Sequence, residues 1–179
     1  MQQYVAFLRG INLGKRRPPM SRLKALFEDL GFADVATFIA SGNVVFSSTS
    51  KDTRKLATKI ARHLKKSLGY EVDTFVRSAE EVLAIGDAKT FPEESKAGAA
   101  VYVIFLEQPL SSADGRKLEK IRTANDEFRV VGREFYWLCR TNVLESDVWQ
   151  SPEMKALKLP TSTMRNITSV RKLIAKHLS

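Results

Sequence analysis

The sequence predicts an α+β fold made of two successive βαββαβ halves followed by a C-terminal helix. Three observations carry this prediction. Short apolar runs that suit strands alternate with segments whose apolar residues recur at helical spacing. Turn residues mark the joints between them. The order strand, helix, two strands, helix, strand is complete within the first 77 residues and is repeated in pattern after residue 98.

The elements follow in order. Tyr4–Leu8 is a short apolar strand closed by Arg9-Gly10. Pro18-Pro19 ends any regular structure and opens a helix. Met20, Leu23, Phe27 and Leu30 follow at helical spacing, and Gly31 is the stop. Val35–Ala40 and Val44–Phe46 are β-rich runs. They flank Ser41-Gly42-Asn43, a hairpin signal because Gly and Asn tolerate positive φ. Leu56, Ile60 and Leu64 repeat every four residues in a helix expected over about residues 51–68, with Gly69 after it. Glu71–Val76 alternates as a strand does. A hairpin between two crossover helices is the ferredoxin-like pattern.

Ser78 and Glu81 have the spacing of a capping box for a short helix to about Ile85. Residues 86–98, with Gly86, Pro92 and Gly98, are expected to link the halves 1–85 and 99–179. In the second half, Ala100–Leu106 is an apolar strand and Ser111 opens a helix containing Leu118. Phe128–Val131 and Glu134–Cys139 form a hairpin around Gly132-Arg133. Ser151-Pro152 opens another helix, since Ser caps well and Pro suits the first helical position. Thr161–Met164 is expected as a short edge strand. Ile167, Val170, Leu173, Ile174 and Leu178 then give the last helix one apolar stripe.

Composition bounds the function. The chain has 179 residues, 44% of them hydrophobic, enough for one domain or two small ones. Its single cysteine, Cys139, excludes an intrachain disulfide and suits a reducing compartment. The start carries no leader pattern and no stretch reaches the length of a membrane span, so a soluble cytoplasmic protein is expected. The net charge is +9 and uneven. Residues 1–78 contribute +8, residues 79–154 contribute −5 and residues 155–179 contribute +6. Basic ends around an acidic middle point to an anionic partner, nucleic acid or a phosphorylated molecule.

Three motifs concentrate hydrogen-bond donors: Arg9-Gly10-Ile11-Asn12-Leu13-Gly14, Ser41-Gly42-Asn43 and Thr163-Met164-Arg165-Asn166. The first continues into Lys15-Arg16-Arg17 ahead of a helix. It is not a P-loop. It has three residues between its glycines, where that loop has four, and Arg16 stands where Ser or Thr would hold magnesium. Candidate ligand contacts are Arg9, Asn12, Lys15, Arg16, Ser41, Asn43, Arg165 and Asn166. Each also has a structural alternative. Asn43 can close the hairpin, Asn166 can cap the last helix, and Arg9 and Asn12 can hold their loop through carbonyls. Lys51, Lys55, Lys59, Arg62 and Lys66 fall along one side of the second helix, either a solvated face or a track for phosphates. No base is placed near Ser41, and His63 and His177 lie far apart. No catalytic residue, metal site or cofactor is therefore assigned. His63, among basic residues, is expected to be exposed. Cys139, in step with Phe135 and Trp137, is expected in the core.

These motifs carry a family resemblance. Tyr4-Val5-Ala6-Phe7-Leu8-Arg9-Gly10-Ile11-Asn12-Leu13-Gly14 and Thr37-Phe38-Ile39-Ala40-Ser41-Gly42-Asn43-Val44-Val45-Phe46 resemble the bacterial domain of unknown function 1697. Val76-Arg77 and Thr163-Met164-Arg165-Asn166 continue the likeness. Ile167 stands where the family has Trp, and the loop after Gly14 is more basic than its counterparts. The resemblance implies two ferredoxin-like halves and no reaction. Three function classes follow from the residues. One is a binder of nucleic acid or a phosphorylated ligand through a basic surface. Another is an enzyme acting on a phosphorylated small molecule where the three motifs meet. The last is a protein-interaction module.

Overall fold

A computed structural model describes residues 1–39 and 42–178. The chain is mixed α+β, with two four-stranded antiparallel sheets and six α-helices among the described residues. It divides into two units, Met1–Ile85 with Leu173–Ser179, and Gly86–Lys172.

The first unit contains β1 (Gln2–Arg9), α1 (Met20–Glu28), β2 (Ala33–Phe38), β3 (Asn43–Ser48), α2 (Thr53–Leu68) and β4 (Asp73–Ser78). Its strands lie in the order β2-β3-β1-β4, all neighbours antiparallel. Strand β1 is central because five successive residues, Tyr4–Leu8, are buried. Tyr4, Ala6 and Leu8 pack with Val44 and Phe46 of β3 and Val76 of β4. Leu23, Leu26 and Phe27 of α1 and Leu56, Ile60 and Leu64 of α2 join the same core. Both helices therefore cover one face of the sheet. Phe46 is at the centre of that core, its ring 5.6 Å from Phe27, 5.7 Å from Tyr4 and 4.5 Å from Phe32.

Helix α2 starts where Asp52 accepts hydrogen bonds from the amides of Arg54 and Lys55, each at 3.0 Å. It ends at Gly69, whose φ of 84° lets its N–H reach the Lys65 carbonyl. The Ser78–Glu81 capping box is present, with reciprocal bonds of 2.8 and 3.2 Å. It opens α3 (Ala79–Asp87). This helix runs two residues past the end expected from Gly86, because a glycine within a helix weakens it without stopping it.

The second unit contains β5 (Ala100–Leu106), α4 (Ser112–Lys120), β6 (Asp126–Val131), β7 (Glu134–Cys139), α5 (Pro152–Leu157) and β8 (Ser162–Asn166). Helix α6 (Ile167–His177) follows. The sheet order is β6-β7-β5-β8, so β8 is an edge strand, as the sequence predicts. It extends two residues beyond Met164 because Arg165 and Asn166 continue the pairing with Val103 and Tyr102 of β5. Phe128, Phe135, Trp137 and Cys139 form one side of its core with Leu118 and Met154. Asp126 anchors the hairpin. It accepts from the Trp137 indole at 2.9 Å, the Ser146 hydroxyl at 2.8 Å and the Thr123 hydroxyl at 2.6 Å.

Candidate functional site

Two of the three motifs meet in the first unit. Arg9 ends β1, and Gly10 follows with φ of 79°. Ile11 then turns inward and is buried. It packs against Gly42 so closely that a Cβ there would lie 2.8 Å from its Cγ2. The Leu8 amide donates to the Gly42 carbonyl at 2.8 Å, tying the start of the loop to the hairpin. Asn43 is buried and donates its side-chain amide to the Phe38 carbonyl at 3.1 Å, which closes the β2–β3 turn. Ser41 and Ala40 lie outside the described residues.

The charged members of the loop are differently placed. Arg9 is half exposed and 3.7 Å from the Asp73 carboxylate. Asn12 is half-buried, and Lys15, Arg16 and Arg17 are exposed. Among the described residues no carboxylate pairs with these three cations. The Arg16 guanidinium lies 4.7 Å above the ring of Tyr70, and the Tyr70 hydroxyl donates to the Ile11 carbonyl at 3.2 Å.

Arg165 and Asn166 belong to the second unit. Arg165 donates to the Thr163 hydroxyl at 2.7 Å and to the Met164 carbonyl at 2.9 Å. Burial lowers its pKa to about 10. Asn166 accepts from the Thr168 amide at 2.9 Å, the capping arrangement at the start of α6.

The strongest electrostatic feature is on α2. Because Leu56, Ile60 and Leu64 face the core, the intervening cations face outward. A groove of about 500 Å³ runs beside the helix, lined by Arg54, Lys55, Lys59, Arg62 and Lys66 with Thr58, His63 and Leu30. No carboxylate is among its lining residues. Lys59 donates to the Leu30 carbonyl at 2.9 Å just beyond α1, which fixes one wall. His63 is not exposed as expected. Its side chain retains only 24% exposure, and its Nε2 lies 3.9 Å from the Asp29 carboxylate. Position 63 borders the inward-facing row, and the end of α1 packs over it. Lys65, outside the groove, pairs with Glu71 at 2.5 Å.

The groove cation Lys55 is 3.9 Å from the Asp52 carboxylate at the helix cap, whereas in the second unit such pairing grows into a network. Arg140 pairs with Glu93 at 2.6 Å and with Glu127 at 2.5 Å, while Arg122 and Arg129 also pair with Glu127. A second groove of about 540 Å³ includes Arg171, but Glu94 and the Gly86 carbonyl already engage that guanidinium. Cys139 is buried, as expected. Burial raises its thiol pKa, and the thiol donates to the Thr141 carbonyl at 3.2 Å. No group of three metal-ligating side chains occurs among the described residues. No helix among them is long and apolar enough to cross a membrane.

Sequence reasoning missed Tyr70 and Asp29. Both lie outside the three motifs, and their roles depend on how loops and helices pack.

A family model described as a protein of unknown function, DUF1697, matches residues 1–136. The fold is similar to that of the conserved bacterial protein SP0830 from Streptococcus pneumoniae. The TM-score is 0.76 at 20% identity, over 100% of this chain and 99% of that one. No curated protein matches the chain.

Proposed function

Because the chain belongs to the DUF1697 family of proteins of unknown function, its activity has to be argued from its own surface, and we propose that its first unit binds nucleic acid. The observation that supports this reading is the α2 groove, with five cations and no lining carboxylate. Like charges at neighbouring helical positions repel each other, by a few tenths of a kcal/mol per pair. A polyanion removes that repulsion and releases its own counterions. Arg16, from the expected ligand set, lies over Tyr70, the residue after the Gly69 cap of the same helix. In this reading Asn43 and Asn166 are scaffold, and Arg9 is balanced by Asp73.

We also read each half as ferredoxin-like, supported by the order second, third, first, fourth strand in both sheets. A lone buried cysteine supports a cytoplasmic setting.

The test is fluorescence anisotropy of a labelled oligonucleotide across a salt series. Five phosphate contacts would give a log–log slope of about −3.5 for a single strand or about −4.5 for a duplex. The triple variant Lys55→Glu/Arg62→Glu/Lys66→Glu is expected to lose binding at moderate salt. Affinity that ignores salt, or survives the triple variant, overturns the proposal.

A further inference from the structure

We infer that the nucleic acid on α2 is single-stranded, with one base stacked on the Arg16–Tyr70 pair; this rests on the reading of α2 as the phosphate-binding surface. Tyr70 follows the Gly69 cap and stands four positions after Lys66, the last groove cation. Its ring packs against the apolar core on one side. Its other side carries the Arg16 guanidinium at 4.7 Å. The Tyr70 hydroxyl bond to Ile11 anchors that ring to the loop that supplies Arg16. An exposed planar cation thus lies over a fixed aromatic ring.

The surroundings favour a negatively charged chain with accessible base faces. Arg22 donates to the Ser67 carbonyl at 3.0 Å, so another cation stands between Lys66 and Tyr70. Glu71, next to the ring, is engaged by Lys65. From Arg54 to Lys66 the helix rises about 18 Å, a basic track leading to the stacked pair. Bases stack on aromatic rings and on arginine planes, and each such contact contributes about 1–3 kcal/mol. A duplex keeps its base faces covered by their neighbours. A single strand can lay its phosphates along α2 and turn one base onto Arg16.

The full chain is titrated with a labelled oligothymidylate of about twelve nucleotides and with a duplex of equal length. The single strand is expected to bind about tenfold more tightly. Tyr70→Leu should weaken the single strand by about tenfold, leave its salt slope unchanged and spare the duplex. Tyr70→Phe should retain single-strand affinity. Arg16→Ala changes only an exposed side chain and should weaken the single strand more than the duplex even if Tyr70→Leu fails to fold. Duplex binding as tight as single-strand binding, or equal losses for both probes in these variants, overturns this inference and leaves the groove reading intact. If neither probe binds at low salt, both fall.

Discussion

Gly42 has no room for a side chain. Its φ is 79°, and an added Cβ would lie 2.8 Å from Ile11 Cγ2, 3.1 Å from Leu8 Cβ and 3.3 Å from the Leu8 carbonyl oxygen. Two of those neighbours belong to β1, the central strand, and cannot move without disturbing the sheet. Gly14 has a similar φ of 58° but nothing within 4 Å. The pair separates backbone strain from crowding. Gly14→Ala is expected to cost about 1 kcal/mol, the left-handed penalty alone. Gly42→Ala should cost about 3 kcal/mol, because overpacking adds to that penalty. Urea denaturation of both variants checks this, and equal costs would mean that the loop yields to the new methyl group. The same contact joins the Arg9–Gly14 loop to the start of β3. Ile11, Gly42 and the Asn43 bond to Phe38 form one packed corner.

Helix α2 and the β6–β7 hairpin show two ways of placing charge on an element. Much of α2 was legible in the sequence. The four-residue spacing of Leu56, Ile60 and Leu64 fixes its inner face and Gly69 marks its end, whereas the Asp52 cap starts the helix at Thr53, two residues later than expected. Four of the five cations expected along one side line the groove, and Arg54 takes the place of Lys51, which precedes the helix. What lies over the helix was not legible. The partial burial of His63 and the stacking of Arg16 on Tyr70 depend on where α1 and the 11–17 loop come to rest, which no local pattern encodes. The Arg140 network was hidden for the same reason, since Glu93 is 47 residues away in the chain. Around the hairpin, burial raises the Glu127 pKa, but the Arg140 hydrogen bond and the charges of Arg122, Arg129 and Arg140 outweigh it. The net shift is downward. Hydrogen bonding to Arg140 also lowers Glu93. A carboxylate held below its ordinary 4.5 contributes stability that is fully present above that value and is lost as pH falls through the folded pKa. The native chain is therefore expected to melt at a falling temperature below about pH 5. Glu127→Gln should cost about 2 kcal/mol at neutral pH, less than a fully buried pair because its arginine partners are partly exposed. It should also flatten the acid limb. Thermal melts of both proteins at neutral and acidic pH decide this, and parallel acid limbs would remove Glu127 from the account.

For the whole molecule, the net charge of +9 allows two explanations of any affinity for polyanions. The excess could attract them as a diffuse field, or the α2 groove could hold them at a defined place. Net charge raises encounter rates in either case, so it cannot distinguish the two. Distribution can. Residues 1–78 carry +8, but residues 155–179 carry +6 in far fewer positions, so the tail is the denser charge. A diffuse field predicts that the tail matters at least as much as α2. The groove predicts the reverse, because there five cations line one concavity with no carboxylate in its lining. Two charge-matched variants separate these explanations. Lys55→Glu/Arg62→Glu/Lys66→Glu alters the groove, and Lys117→Glu/Lys155→Glu/Lys172→Glu alters exposed positions of the second unit. Three reversals of two charges each take both proteins from +9 to +3. On immobilised heparin the first should elute at markedly lower salt than the native chain, while the second should elute close to it. Ionic strength near 0.15 M confines exposed charges to a range of about 8 Å, so a dispersed excess of charge cannot replace a neutralised groove. Coincident elution of the two variants would assign the affinity to bulk charge and leave α2 an ordinary solvated helix.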